Sequence, residues 1–184
     1  MQTLGVANSG AQSEGRLKTL FWPAIQNAAD VDTLGSQGHW VCAIVAVFAL
    51  VTSALLHQPT AGAALTLYYY LGGVGVREHS RFAAAMVFIM FAIDTIMAFG
   101  VLKLLLSALL LSNVRATWIA SGWRAESPEA AMPMRFGETW GDKFADTLPR
   151  WLWPKIRIVY YIFSAAFLLL TIVGFAVLAT RRHG

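Results

Sequence analysis

Four long runs of apolar residues, separated by polar breaks, organise the chain. They cover roughly 39–56, 61–76, 82–112 and 156–180. A helix needs about 20 apolar residues to cross the ~30 Å hydrocarbon core of a bilayer. Each run is therefore expected to be one transmembrane helix. The second is close to the lower limit of about 17 residues. The third would extend ~45 Å at helical rise, so it must tilt, bend near Gly100 or project beyond the bilayer. The expected fold is an all-α, four-transmembrane-helix integral membrane protein with one domain over residues 38–180.

The breaks differ from one another. His57-Gln58-Pro59-Thr60 is a short turn without Lys or Arg, whereas Arg77-Glu78-His79-Ser80-Arg81 is a charged turn. Residues 113–155 read as a polar, Trp-rich loop between spans three and four. Within it Trp140, Phe144 and Leu148 recur at helical spacing, with Asp142, Lys143 and Asp146 on other faces, and Pro149 stops the pattern. That is the signature of a short amphipathic helix lying on the membrane surface, or of a docking surface for a partner. Residues 1–15, rich in Gly, Ser, Ala and Gln, are expected to be disordered. Residues 16–37 read as an interfacial segment and the start of the first helix. Leu17, Leu20, Phe21, Trp22 and Ile25 mix there with Arg16 and Lys18. Asn27 takes the N-cap position of a capping box, with Asp30 three residues on. Gly35 and Gly38 are expected to weaken the helix that follows. The first apolar run starts near His39, too late for a cleavable signal peptide. Residues 181–184 form a basic tail.

Composition supports the membrane reading. The chain has 184 residues, of which 57% are hydrophobic and 13% charged, against about 25% charged in a soluble domain. The net charge of +4 lies beside apolar spans and not along a stripe, which argues against nucleic acid as a partner. The positive-inside rule places the His57–Thr60 turn outside, and the Arg77–Arg81 turn and the Arg181-Arg182 tail in the cytoplasm. Both termini are then cytoplasmic and the 113–155 loop is outside. That loop carries six cations of its own, among them Arg115, Arg135 and Lys155, so the two sides nearly balance. Trp22, Trp140, Trp151 and Trp153 are expected to be interface anchors, with the apolar ring in lipid and the N–H in the headgroups.

Candidate chemistry centres on Asp94, a carboxylate inside the third run that costs ~2.5–3.5 kcal/mol at mid-membrane. Counted along the helices, Thr52, Ser53, Thr66 and Ser164 reach its height, so a layer of hydroxyls could surround it. Such a layer suits either a proton or cation site or a polar clasp that holds helices in register. Lys103 lies nine residues on, on roughly the opposite face of one continuous helix, and so is a poor partner for Asp94. Gly72, Gly73 and Gly75 with Ala83, Ala84 and Ala85 form a close-packing seam. Cys42 is alone and reads as a buried small hydrophobe. His39, His57, His79 and His183 make no metal-ligand spacing, and no nucleophile, dinucleotide or metal motif is present. No catalytic residue, cofactor or metal is expected.

Phe21-Trp22-Pro23 before a capped helix, Gln37-Gly38-His39-Trp40 leading into a span, and Gly75-Val76-Arg77 followed by Ser80-Arg81 resemble a group of small uncharacterised bacterial polytopic inner-membrane proteins. The resemblance covers the first half of the chain. It implies a multi-pass protein of the bacterial inner (cytoplasmic) membrane and no activity. The expected function is non-catalytic: helix packing or assembly in the lipid bilayer, with itself as a homo-oligomer or with a larger membrane complex. The alternative is a proton- or cation-coupled small-solute carrier or channel using Asp94.

Overall fold

The computed structural model describes residues 21–26, 28–126 and 151–183. They form five helices: α1 (Ala28–Leu55), α2 (Pro59–Arg77), α3 (Arg81–Met97), α4 (Val101–Glu126) and α5 (Leu152–His183). The described residues include no strand and are all-α, the class expected. Four spans are not what forms. Three helices are long and apolar enough to cross a membrane: Asp30–Leu55, Val101–Gly122 and Leu152–Gly174. In α2, which has 19 residues, Tyr68–Tyr70 and the glycines dilute the apolar character. α3, with 17 residues, is short because the expected third span, 82–112, is two helices.

The break falls at Ala98-Phe99-Gly100. Ala98 leaves the helical region (φ −130°, ψ 76°) while its N–H still donates to the Asp94 carbonyl at 3.0 Å. The Leu104 N–H, donating to the Gly100 carbonyl at 2.9 Å, opens the next helix. α4 then returns antiparallel to α3. Thr95 Oγ1 meets Ser107 Oγ at 3.0 Å, and Arg81 at the foot of α3 lies 6.0 Å from the Trp118 ring centroid. Residues 113–126, expected in a loop, are helix.

The other two turns share one device. Gln58 N–H donates to the Ser53 carbonyl and His57 N–H to the Ala54 carbonyl; Ser80 pairs likewise with Gly75, and His79 with Val76. Each is a Schellman closure, which needs a left-handed residue, usually glycine. Here histidine fills the role, with φ 55° at His57 and 54° at His79. Pro59 then starts α2, and the Ser80 hydroxyl accepts from Ala83 N–H to cap α3.

α1 starts ahead of the apolar run, as the capping signal requires. The Asp30 carboxylate does reach back, but it accepts from Gln26 N–H at 2.9 Å, one residue further out than expected. Asn27 lies outside the described residues, as do the 1–15 segment, residues 16–20, Trp140 and the amphipathic stretch around it. Gly35 and Gly38 are not weak points. A Cβ at Gly35 would stand 3.0 Å from His79 Nε2, and one at Gly38 would stand 2.8 Å from Asn113 Nδ2. Both glycines let other helices approach.

Two antiparallel hairpins, α1–α2 and α3–α4, close into a ring through α1–α4 and α2–α3 contacts, and α5 packs against α2 and α3. The expected glycine seam forms here. Gly75 faces Ala83 and Trp153, Gly72 faces Val87 and Tyr160, and Gly73 faces Cys42. Tyr68 sits at the centre, against Tyr69, Tyr160, Phe163 and Phe167. Trp153 lies near Gly75, while Phe167, further along α5, reaches Tyr68. α5 therefore runs in the same direction as α1 and α3.

Candidate functional site

The expected polar layer around Asp94 does not assemble. Asp94 is on the last turn of α3, with its side chain 52% exposed, and its carboxylate pairs with Lys103 Nζ at 2.7 Å. The turn at Ala98–Gly100 brings the two together; on one continuous helix they would have diverged. The hydroxyls go elsewhere. Thr52 donates to Phe48 O and Ser53 to Ala49 O, both within α1. Thr66 donates across to Ala46 O on α1 at 3.2 Å. Ser164 is fully buried on α5, facing the Tyr68–Tyr160 aromatic centre. A carrier site built on Asp94 and these four side chains loses its geometric basis.

The concentration of buried polar groups is at the other end of the ring, where sequence reasoning put only a charged turn. Arg77 Nη1 donates to Asp32 Oδ1 at 2.9 Å and to the Asp32 carbonyl at 3.0 Å. The two side chains are 2% and 5% exposed, so this is a buried ion pair joining α1 to α2. Removing one partner of such a pair costs about 3–5 kcal/mol. Asn113 Nδ2 on α4 donates to Leu34 O on α1 at 2.9 Å. Ser36, His39 and His79 are buried nearby, with Ser112 and Thr117 on α4. A signal for this centre exists in the sequence. Asp32, Ser36 and His39 recur at i, i+4 and i+7, the spacing of one inward face, and Gly35 and Gly38 border it. The mixed apolar and basic residues of a surface segment stand just ahead of it, and that masks the pattern.

Beside this centre a small cleft of about 180 Å³ opens between the α2–α3 turn and α4. His79, Arg81, Thr117, Ala120 and Ser121 line it. Around the same end, three cations lie over tryptophan rings. Arg81 is on Trp118, Arg115 is 4.7 Å from the Trp22 centroid, and Lys155 is 4.7 Å from that of Trp151. Arg115 also donates to Pro23 O at 2.9 Å.

The expected anchors therefore divide. Trp22 and Trp151 are exposed, at 46% and 60%. Trp153 is 7% exposed and packs on Gly75, Ala83, Tyr160 and Tyr161, so it belongs to the core. Cys42 is buried and free, as expected. Among the described residues no group of His, Cys, Asp and Glu is placed to hold a metal ion. What the arrangement does chemically is join helices: the Arg77–Asp32 ion pair, the Asn113 amide and the Thr66 hydroxyl each bridge two of them, while Thr52, Ser53 and Thr117 close on their own backbone.

No family model matches the chain, and no curated protein or solved structure is found to be similar to it.

Proposed function

We propose that this is a non-catalytic polytopic protein of the bacterial inner membrane, built to assemble with itself or with a larger membrane complex. One observation carries the reading. Buried and half-buried polar side chains are used as connections between helices: Arg77 to Asp32, Asn113 to Leu34, Thr66 to Ala46, Tyr68 to Met86 and Thr95 to Ser107. In lipid such bonds and small-residue contacts take over from the hydrophobic drive that packs soluble bundles. The outer surface supports the membrane part. Val47, Phe48, Val51, Ile96, Phe99, Ile158, Ile162, Leu169 and Val173 are all more than half exposed, a far larger apolar surface than a soluble monomer tolerates.

In this reading α2 and α3, at ~28 and ~26 Å of helical rise, complete five crossings with α1, α4 and α5. The antiparallel order supports chain ends on opposite faces, in place of the single face expected for four spans. The end with Arg77, Arg81, Arg115, Lys155 and Arg157 is the cytoplasmic one by the positive-inside rule. α4 ends and α5 begins at that same end, so the cations flanking both helix ends add to one side and the near-balance of charge disappears.

The test is native mass spectrometry of the full chain extracted into native-lipid nanodiscs, paired with proton and cation flux in liposomes. A homo-oligomer or a complex of fixed composition, without flux, is the expected result. A monomer whose flux collapses in Asp94→Asn would replace assembly with the carrier reading.

A further inference from the structure

We propose that the cleft between the α2–α3 turn and α4 binds a phosphate-bearing anion, with the headgroup of an anionic phospholipid as the ligand source. The inference rests on the membrane orientation argued above and adds a ligand to it.

Four observations carry it. The cleft, about 180 Å³, is large enough for a phosphoryl group, and none of its five lining residues is acidic. Arg81 is exposed and lies against Trp118; no carboxylate among the described residues is paired with it. That leaves a planar cation available to bind phosphate oxygens through two N–H groups. Thr117 and Ser121 are one turn apart on α4 and donate to the carbonyls of Val114 and Trp118, three residues back. Either hydroxyl can exchange that local bond for a phosphoryl oxygen, a stronger acceptor. Finally, three cation–tryptophan pairs surround this end of the bundle, the combination of charge and indole that marks headgroup depth. Basic pockets between helices on the cytoplasmic side are suited to anionic headgroups. Arg77, by contrast, is held by Asp32 and faces inward.

The test is native mass spectrometry of the full chain released from nanodiscs containing phosphatidylcholine and phosphatidylglycerol. The wild type should retain phosphatidylglycerol in preference. Arg81→Gln should lower that retention about fivefold, the loss of one cationic contact. Ala120→Phe keeps every charge and fills the cleft, and should lower retention to a similar degree. Lys155→Gln, which removes a charge outside the cleft, should change it less. Equal losses in Arg81→Gln and Lys155→Gln, with none in Ala120→Phe, would reduce the effect to diffuse surface charge and overturn the site. Inorganic phosphate and glycerol phosphate are added in a parallel arm. Displacement of the lipid by inorganic phosphate at equal concentration would keep the cleft as an anion site and overturn the lipid as its source. Carbonate extraction of each variant reports membrane insertion separately, so failure of the bundle's placement is not mistaken for failure of the cleft. A variant that does not insert is replaced by Ser121→Ala, which should weaken retention while leaving the fold intact.

Discussion

Asp32 and Arg77 illustrate what a buried charge does when its partner is fixed. The arginine is 2% exposed and reaches two acceptors on one residue, the carboxylate and the main-chain carbonyl of Asp32. Replacing Asp32 removes the carboxylate that faces the buried guanidinium at 2.9 Å. Asp32→Ala should therefore destabilise by about 3–5 kcal/mol, and Arg77→Met by a comparable amount, because each breaks the buried pair. The double variant Asp32→Leu/Arg77→Met should recover most of the loss, because desolvation of both ions is then avoided. Thermal unfolding in detergent at fixed lipid content measures all three. A double variant no better than the singles would mean that the pair's value lies in geometry and not in charge balance.

At the scale of elements, the α3–α4 hairpin decides the architecture, and it was the least legible part of the sequence. The apolar run from Phe82 to Leu111 has no polar break of the kind that marks His57–Thr60 or Arg77–Arg81. Gly100 was the visible hint, and it suits a bend as well as a reversal. The two Schellman turns were legible as turns, through Pro59 and Ser80, but histidine at the left-handed position was not, because glycine is the residue that reports it. Asp94 and Lys103 were visible as the charges in the run; their contact depends on the reversal. The glycine seam of α2 was legible because spacing alone specifies it. The hairpin also sets the environment of its ion pair. Beyond Asp94 and Lys103 the tip is apolar, with Ile96, Met97, Phe99 and Val101 all more than half exposed. With ~24 Å of rise from Arg81 to Met97 against a ~30 Å core, the proposed five crossings put the pair at the edge of the hydrocarbon, where water is scarce. A double-mutant cycle over Asp94→Ala and Lys103→Ala should then give a coupling above about 1 kcal/mol, the upper range for exposed pairs in water. A value near zero would place the tip in solvent.

On the scale of the whole molecule, helix direction is the quantity from which everything else follows. Trp153 lies at the level of Gly75, and Tyr161 meets Ser80 at 3.1 Å, so α5 starts at the end where α4 finishes. In the proposed topology, a ring of two hairpins returns the chain to its starting face after α4, and one more crossing carries it to the opposite face. The charge distribution agrees with that count. Among the described residues, Arg77, Arg81, Arg115, Lys155 and Arg157 fall at the end of the α2–α3 turn, while Lys103, Arg181 and Arg182 fall toward the other. Single cysteines introduced into a Cys42→Ala background at Gln58, Ser127 and Gly184 test this directly. In right-side-out cells a membrane-impermeant thiol reagent should label Gln58→Cys and Gly184→Cys, and should reach Ser127→Cys only after the membrane is opened. Labelling of Ser127→Cys from outside, with Gly184→Cys protected, would restore four crossings. The cation–tryptophan end would then lie in the outer leaflet, where the positive-inside rule gives no reason for so many cations to gather.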